Sequence, residues 1–255
     1  MADGSIKEKY IVWKNLGETP LESLTSLAND LDIPKSVPLT YAGRLDPAAE
    51  GLLIVLSGEA CKKKDAYTSL PKTYMAEILV GVSTDSHDLL GVPSVIPDLI
   101  RNPRKIQMDP GSEAGMTMQK EIQEYLDAHI GKFIQNYPHY SSKNIDTGKV
   151  SPPHEVELVS YEDLSIEEVE TEDVLVRVGE VVASVKGDFR QAEIAEEWGS
   201  LELPEKLPLI LVTITVGSGF YVRQLAEDLG TALGTGACLY SLVRTQIGDY
   251  TKAEV

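Results

Sequence analysis

The chain has 255 residues, with 40 Asp and Glu against 23 Lys and Arg, for a net charge of −17. Its 42% hydrophobic content excludes disorder by composition, and it lacks the run of ~20 apolar residues that crosses a bilayer. A polar N-terminus without a secretory signal, and only two cysteines, predict a soluble cytoplasmic protein with neither a disulfide framework nor a zinc site. The net charge alone disfavours a nucleic-acid partner.

The first half of the chain predicts strands separated by one helix. Residues 11–13 are predicted as a short strand, and a helix is predicted to begin after Thr19, because Thr19 and Glu22 can form a capping box. An apolar stripe of Leu21, Leu24 and Leu31 follows, and Pro34 ends it. The patterning then predicts a turn-like segment, two strands and an irregular stretch, at residues 38–50, 52–56, 73–82 and 89–112.

The second half predicts alternating helices and strands. Ile122, Leu126 and Ile130 share one face of a predicted helix at 118–130, and alternating valines predict a strand at 173–185. A short helix, a long strand and a last helix follow at residues 189–198, 207–216 and 221–233. We therefore expect a mixed α/β (α+β) fold, a central sheet flanked by helices, as a single domain over residues 1–255.

The negative charge is unevenly distributed. Residues 161–210 carry 14 acidic against 4 basic residues, whereas residues 61–74 hold four lysines against one aspartate. Residues 131–150 hold three lysines against one aspartate. Lysine clusters are most often solvated faces, but screening confines their effect to ~8–10 Å, so an acidic protein can still carry a basic groove.

The most informative local segment is residues 41–53, Tyr-Ala-Gly-Arg-Leu-Asp-Pro-Ala-Ala-Glu-Gly-Leu-Leu. It places Asp46 in a tight turn beside Arg44, just before a predicted buried strand. A carboxylate held on a loop near a cation can act as a nucleophile. Asp-Pro is also a common turn pair, so this segment alone leaves a purely structural role for Asp46 open.

Several segments in order resemble the TruB family of pseudouridine synthases. Gly-Arg-Leu-Asp-Pro at 43–47 resembles its catalytic Gly-Thr-Leu-Asp-Pro, and Lys-Thr-Tyr at 72–74 resembles its Lys-x-Tyr. Further resemblances to the family's motifs lie at residues 81–91, 135–143, 218–230 and 236–245. The resemblance extends from about residue 11 to the C-terminus, and it implies the pseudouridine synthase fold with a catalytic cleft.

The resemblance implies a function. TruB enzymes convert uridine 55 in the tRNA T-loop to pseudouridine without a cofactor or metal, so the implied partner is the T-arm stem-loop of tRNA. Asp46 matches the catalytic aspartate, and Arg223 matches the arginine that pairs with it. Tyr74 matches the catalytic tyrosine that stacks on the flipped uracil and helps proton transfer at C5, although a core tyrosine on a strand is an alternative for that position.

The resemblance also implies contacts with RNA. The implied substrate-binding residues are Tyr41, Gly43, Arg44, Leu45, Lys72, Tyr140, Lys143, Tyr221 and Leu242. Lys62, Lys63 and Lys64 are candidate phosphate contacts, and we predict one positive groove around Asp46. A monomer without membrane association is expected.

Some positions depart from the family pattern. Tyr41 stands where the family has His, and Arg44 stands where it has Thr, as in the RluA and RsuA families. Residues 146–153 replace a longer RNA-gripping thumb, the acidic stretch at 161–210 does not align, and no C-terminal PUA domain is expected. Two alternatives to a tRNA pseudouridine-55 synthase therefore stand: an RNA-binding chaperone that folds tRNA, and a pseudouridine synthase acting on another RNA.

Overall fold

A long, mostly antiparallel sheet organises the protein, and the computed structural model describes residues 6–95, 111–140 and 151–255. Nine strands of these residues form one sheet: β1 (Lys9–Lys14), β2 (Leu39–Ala42), β3 (Glu50–Ser57), β4 (Lys72–Val80), β7 (Gly131–Gln135), β8 (His154–Glu170), β9 (Lys206–Val216), β10 (Ala237–Ile247) and β11 (Tyr250–Thr251). Their order in the sheet is β1-β3-β10-β4-β9-β8-β7, with β2 paired to β3 and β11 to β10. Neighbouring strands are antiparallel except β3 and β10, which are parallel.

Helices and a small hairpin complete the described structure. The hairpin consists of β5 (Ser83–Thr84) and β6 (Pro93–Ser94). The α-helices are α1 (Pro20–Asp30), α2 (Lys64–Thr68), α3 (Glu113–Ala128), α4 (Thr171–Ser184), α5 (Gln191–Ser200) and α6 (Val222–Leu233). Buried side chains of α3 to α6 join those of the sheet in one core, and a smaller cluster lies around β3. The predicted mixed α/β fold is confirmed. None of the helices in the described residues combines the length and apolar character that a membrane span requires.

Local chemistry explains the elements that were predicted correctly. Thr19 caps α1, because its hydroxyl accepts a hydrogen bond from the Glu22 amide while the Glu22 carboxylate accepts one from the Thr19 amide. The apolar stripe expected for α1 is wrong, since Leu21 is 61% exposed and the helix instead buries Pro20 and Ser23. The predicted helices at 118–130, 189–198 and 221–233 are confirmed as α3, α5 and α6, although Ile130 lies beyond the end of α3.

The strand predicted at 173–185 is wrong, because this segment is helix α4. Val174, Val178 and Val181 are buried at helical spacing, whereas Val176 is 57% exposed, so the alternation of valines does not match the buried face. Glu172 and Asp173 lie in the first turn, where acidic side chains stabilise a helix.

Several strands were missed or misassigned, including the two-residue strands β5, β6 and β11, which were not predicted. The stretch 38–50 was predicted as turn-like, but its first part is strand β2 paired with β3. Strands β7, β8 and β10 were not predicted. The acidic residues 161–210 form the second half of β8, helices α4 and α5, and the start of β9. Of the irregular stretch predicted at 89–112, residues 96–110 lie outside the described part of the chain.

Gly51 permits the parallel pairing of β3 with β10, because it lies opposite Arg244 where the two strands meet. Its φ is +122°, and a Cβ there would lie 2.3 Å from the Arg244 carbonyl oxygen. We expect Gly51→Ala to lower the free energy of unfolding by about 3 kcal/mol, because backbone strain and overpacking add. Urea unfolding measures this.

The matched control is Gly58→Ala. Gly58 also has a positive φ, +58°, but a Cβ at this position would meet no neighbour within 4 Å among the described residues. Only the left-handed backbone then costs free energy, about 1 kcal/mol. Equal losses in the two variants would contradict the close approach at Gly51.

Candidate active site

A cleft of about 840 Å³ brings together segments that are far apart in the sequence. It is lined by the turn between β2 and β3, by β4, by the turn between β5 and β6, and by the N-terminal end of α6. All the predicted site residues that lie in the described chain line it: Tyr41, Gly43, Arg44, Leu45, Asp46, Lys72, Tyr74, Tyr140, Tyr221, Arg223 and Leu242. Lys143 lies outside the described residues.

Arg223 lies at the floor of the cleft and connects three segments. Its Nε donates to Asp46 Oδ2 at 2.7 Å. Its Nη1 donates to the Ser86 carbonyl oxygen at 2.7 Å, and its Nη2 donates to the Tyr140 carbonyl oxygen at 3.3 Å. The Arg223 side chain is 7% exposed and that of Asp46 is 43% exposed. The carboxylate is therefore held from below by a buried cation while one side remains open to the cleft.

Asp88 is a second carboxylate near Arg223 that was not selected from the sequence. Its Oδ2 lies 3.6 Å from Arg223 Nε, and its Oδ1 accepts hydrogen bonds from Ser86 Oγ at 2.6 Å and from the Leu90 amide at 3.0 Å. Burial raises the pKa of Asp88 against the opposing effect of Arg223. Burial disfavours the charged guanidinium of Arg223, but Asp46 and Asp88 outweigh it, so the pKa of Arg223 is raised. The signal for Asp88 was available, since it is the aspartate of the 81–91 motif.

The turn that carries Asp46 is fixed by a second buried arginine. Arg244 Nε donates to the Leu52 carbonyl oxygen at 2.7 Å, and its Nη1 donates to the Arg44 carbonyl oxygen at 2.9 Å. Gly43 begins this turn with a φ of +80°, a conformation that favours glycine. Arg244 Nη2 has no hydrogen-bond partner among the described residues, and Arg244 lines the cleft. The position of Asp46 therefore depends on β3 and β10 together.

Tyr74 lies beside this turn on the central strand β4. It is opposite Arg244 on β10 and Ile214 on β9, and it is only 8% exposed. Leu45 and Leu242 are buried in the same core cluster and also line the cleft. The tyrosine is thus part of the core and of the cleft surface at once.

Lys72 was predicted to contact RNA, but its ammonium is already engaged. Its Nζ donates to the Thr68 and Leu70 carbonyl oxygens, at the C-terminal end of α2. Burial, followed by the nearby Arg244, lowers the pKa of Lys72 to about 8. Lys72 thus supports α2 from within the cleft, and an RNA contact by it remains a prediction.

The basic clusters lie partly at the cleft. Lys64 Nζ lies 5.4 Å from the centroid of the Tyr41 ring, whereas Lys62 pairs with Glu59 and Lys132 pairs with Glu155 on the surface. The residues that line the cleft include five basic side chains against three acidic ones: Arg44, Lys72, Arg190, Arg223 and Arg244 against Asp46, Asp88 and Asp188. Arg190 is, however, paired with Asp85, which does not line the cleft, so the excess is small and the positive groove stays a prediction.

The N-terminal end of α6 is held by an amide and an aromatic cluster. The Gln135 side chain donates to the Tyr221 carbonyl oxygen at 3.0 Å and accepts from the Tyr221 amide at 2.9 Å. Tyr137 stacks on His154 with ring centroids 4.0 Å apart and packs edge-on to Tyr221 at 5.5 Å. In residues 6–95, 111–140 and 151–255, no three His, Cys, Asp or Glu side chains cluster as metal ligands would.

Comparison with known proteins identifies the family. The model of the TruB family pseudouridylate synthase N-terminal domain matches residues 35–178. The tRNA pseudouridine synthase B of Parabacteroides distasonis is 29% identical over 218 residues, which cover 85% of this chain and 74% of the relative. The protein of the same name from Xanthomonas oryzae pv. oryzae is 31% identical over 214 residues, 82% of this chain and 54% of the relative.

Solved structures show the same fold. A Cbf5-Nop10-Gar1 complex contains a chain that matches 96% of this protein with a TM-score of 0.55 and 18% identity. An H/ACA RNP bound to a substrate RNA containing 2′-deoxyuridine matches with a TM-score of 0.51. This chain spans about half the length of these two chains. Since the family model covers more than half of the chain, including Asp46 and Tyr74, the protein belongs to the TruB family of pseudouridylate synthases.

Proposed function

We propose that this protein isomerises uridine 55 in the T-loop of tRNA to pseudouridine, with Asp46 as the catalytic carboxylate. The observation that carries the proposal is the buried Arg223 hydrogen-bonded to Asp46 in a cleft that also contains Tyr74. The relatives named tRNA pseudouridine synthase B support tRNA as the substrate class.

The reaction breaks the bond between N1 of uracil and C1′ of ribose, turns the base, and joins C5 to C1′. C5 then loses its proton and N1 gains one, so the product is an isomer of the substrate. A duplex or stacked loop hides these atoms, so the uridine must be extruded into a pocket. A cleft of about 840 Å³ is large enough for a nucleotide. Asp46 either attacks C1′ or C6 or removes the ribose 2′ proton, and each role requires an ionised carboxylate.

Arg223 stabilises the ionised carboxylate of Asp46 electrostatically. A buried guanidinium already hydrogen-bonded to Asp46 needs no reorganisation during the reaction, and in a water-poor site its attraction is stronger than at the surface. Tyr74 offers a ring against which the extruded uracil stacks, and the apolar Leu45 and Leu242 border the same space.

The remaining predicted site residues are proposed to bind the RNA around the flipped uridine. Tyr41, Gly43, Arg44, Tyr140 and Tyr221 line the cleft, and we propose that they contact the flipped nucleotide and its neighbours. Lys62, Lys63 and Lys64 and, outside the described residues, Lys143 are proposed phosphate contacts. We further propose that the protein acts as a monomer in the cytoplasm.

Asp46→Asn tests the catalytic role. We expect it to keep the hydrogen bond from Arg223 and the fold, but to lower the single-turnover rate of pseudouridine formation on a T-arm stem-loop by about 10³-fold or more, because the amide can neither attack nor take a proton. Asp65→Asn, a change at an exposed residue of α2, is the control and should act like the wild type. Full activity of Asp46→Asn would refute the assignment, and circular dichroism verifies folding.

Tyr74 is tested by two substitutions that separate ring from hydroxyl. If the ring stacks on uracil, Tyr74→Leu loses the ~1–3 kcal/mol that base stacking contributes, and the reaction rate falls roughly 5- to 150-fold. Tyr74→Phe keeps the aromatic ring and therefore keeps this stacking contribution. Equal effects of the two variants would instead assign the hydroxyl to the chemistry. A change in stability alone, with the rate intact, would leave Tyr74 as a core residue only.

The substrate is tested by mapping pseudouridines in total RNA from cells with and without this protein. We expect one site to disappear from the T-loops of tRNAs, at position 55. Loss of sites only in other RNAs would favour the alternative target, and unchanged modification with misfolded tRNA would favour the chaperone. Re-expression of Asp46→Asn provides the matched control for loss of catalysis.

A further inference from the structure

The connection between helices α4 and α5 reaches the cleft. Asp188, Phe189 and Arg190 from this connection line the cleft, although they lie beyond residues 35–178, which the family model matches. This helix pair and its connection hold 7 of the 14 acidic residues of the 161–210 stretch, which did not align with the family. Its contribution to the site is therefore not described by the motifs.

Contacts on two sides fix the helix pair against the catalytic segments. Trp198 of α5 is buried and donates through Nε1 to the Gly91 carbonyl oxygen at 3.1 Å. At the other end, Ser184 lies against Gly17, where a Cβ would be 2.3 Å from the Ser184 carbonyl oxygen. The Gly17 amide in turn donates to the Pro47 carbonyl oxygen at 2.9 Å, next to Asp46.

Arg190 makes the contact that faces the cleft. Its Nη1 and Nη2 donate to the two carboxylate oxygens of Asp85 at 2.8 and 3.1 Å, a bidentate pair in which both side chains are about one-third exposed. Burial would raise the pKa of Asp85, but the hydrogen bonds from Arg190 and the other donors outweigh it, so the pKa is lowered. Arg190 adopts a φ of +60°, which costs a non-glycine residue free energy and is often found at functional sites.

The same guanidinium also contacts Tyr140. It lies 5.0 Å from the centroid of the Tyr140 ring, and the Tyr140 hydroxyl donates to Asp85 Oδ2 at 3.4 Å. Arg190, Asp85 and Tyr140 thus form one cluster at the edge of the cleft.

This cluster lies next to the two carbonyl groups that hold Arg223. Ser86, which follows Asp85, and Tyr140 supply the carbonyl oxygens that accept from Arg223 Nη1 and Nη2. By clamping Asp85 and Tyr140 together, Arg190 fixes both carbonyls, and Arg223 in turn orients Asp46.

We propose that Arg190 is a positioning residue that holds the Asp46–Arg223 pair in its reactive arrangement through Asp85 and Tyr140. Its effect on the reaction rests on the proposed function, whereas its effect on the Arg223 side chain does not. Arg190 is expected to act on the chemical step and not on RNA affinity, because its charge is already matched by Asp85.

The kinetic test compares Arg190→Gln, Arg190→Lys and Asp85→Asn under single-turnover conditions with a saturating T-arm stem-loop. We expect Arg190→Gln and Asp85→Asn each to lower the rate by roughly 10- to 100-fold, since small displacements of reacting groups cost that much, with the RNA dissociation constant unchanged. Arg190→Lys keeps the charge but not the bidentate geometry, and it should restore the rate only in part. The double variant should be no slower than either single variant.

Lys186→Gln is the matched control. Lys186 lies in the same connection, but its ammonium is exposed and pairs with Glu22, away from the cleft. An unchanged rate in Arg190→Gln, a loss of RNA affinity alone, or additive losses in the double variant would each overturn the proposal. If Arg190→Gln fails to fold in a thermal melt, Arg190→Lys and Asp85→Asn decide the same question.

A second readout does not depend on catalysis. In protein labelled with ¹⁵N-arginine, the Nε–H signal of Arg223, assigned by its loss in Arg223→Lys, should shift in Arg190→Gln and stay in place in Lys186→Gln. An unmoved signal would overturn the positioning role. The signal can shift in Arg190→Gln even if the wild-type protein makes no pseudouridine. That result would refute the proposed function but preserve the link between Arg190 and Arg223.

Discussion

The burial of the Arg223 guanidinium is the constraint on which the rest of the site depends. A cation taken out of water costs several kcal/mol unless its donors are matched, and here Asp46 and the carbonyl groups of Ser86 and Tyr140 match them. These three acceptors come from the turn before β3, the β5–β6 turn and the segment after β7. Segments that are separate in sequence must therefore converge at α6, and the cleft is the space that their convergence leaves.

The sheet gives this arrangement its rigidity. Parallel pairing of β3 with β10 brings Gly51 against the Arg244 backbone, and the Arg244 side chain then fixes the carbonyl groups of Arg44 and Leu52 on either side of Asp46. Tyr74 comes from β4, the strand paired with β10 on its other side. The Asp46 carboxylate on its turn is thus held by central strands, which suits the catalytic role proposed for it.

Motifs grouped the predicted site residues better than residue patterning predicted the scaffold. Motifs carry the identity of residues that must meet a substrate, so Asp46, Tyr74 and Arg223 were selected without any knowledge of their spacing in three dimensions, and the structure brings all three to one cleft. The strand predicted from the periodicity of residues 173–185 is wrong. Valines favour strands locally, but here tertiary packing buries one face of a helix. The pair of Asp85 and Arg190 was missed, since residues 105 positions apart show no pattern that reveals an ion pair. The acidic stretch at 161–210 did not align with the family, yet it supplies Arg190 to the cleft.

The proposed function requires that a uridine enters this cleft and contacts Asp46. A crystal structure of Asp46→Asn bound to a T-arm stem-loop tests it most directly, because the variant should hold the substrate without converting it. We predict uridine 55 extruded from the loop, its ring stacked on Tyr74 and its ribose within about 4 Å of residue 46, the separation of groups about to react. A uridine that stays stacked in the loop, or RNA bound on another surface, would contradict the account.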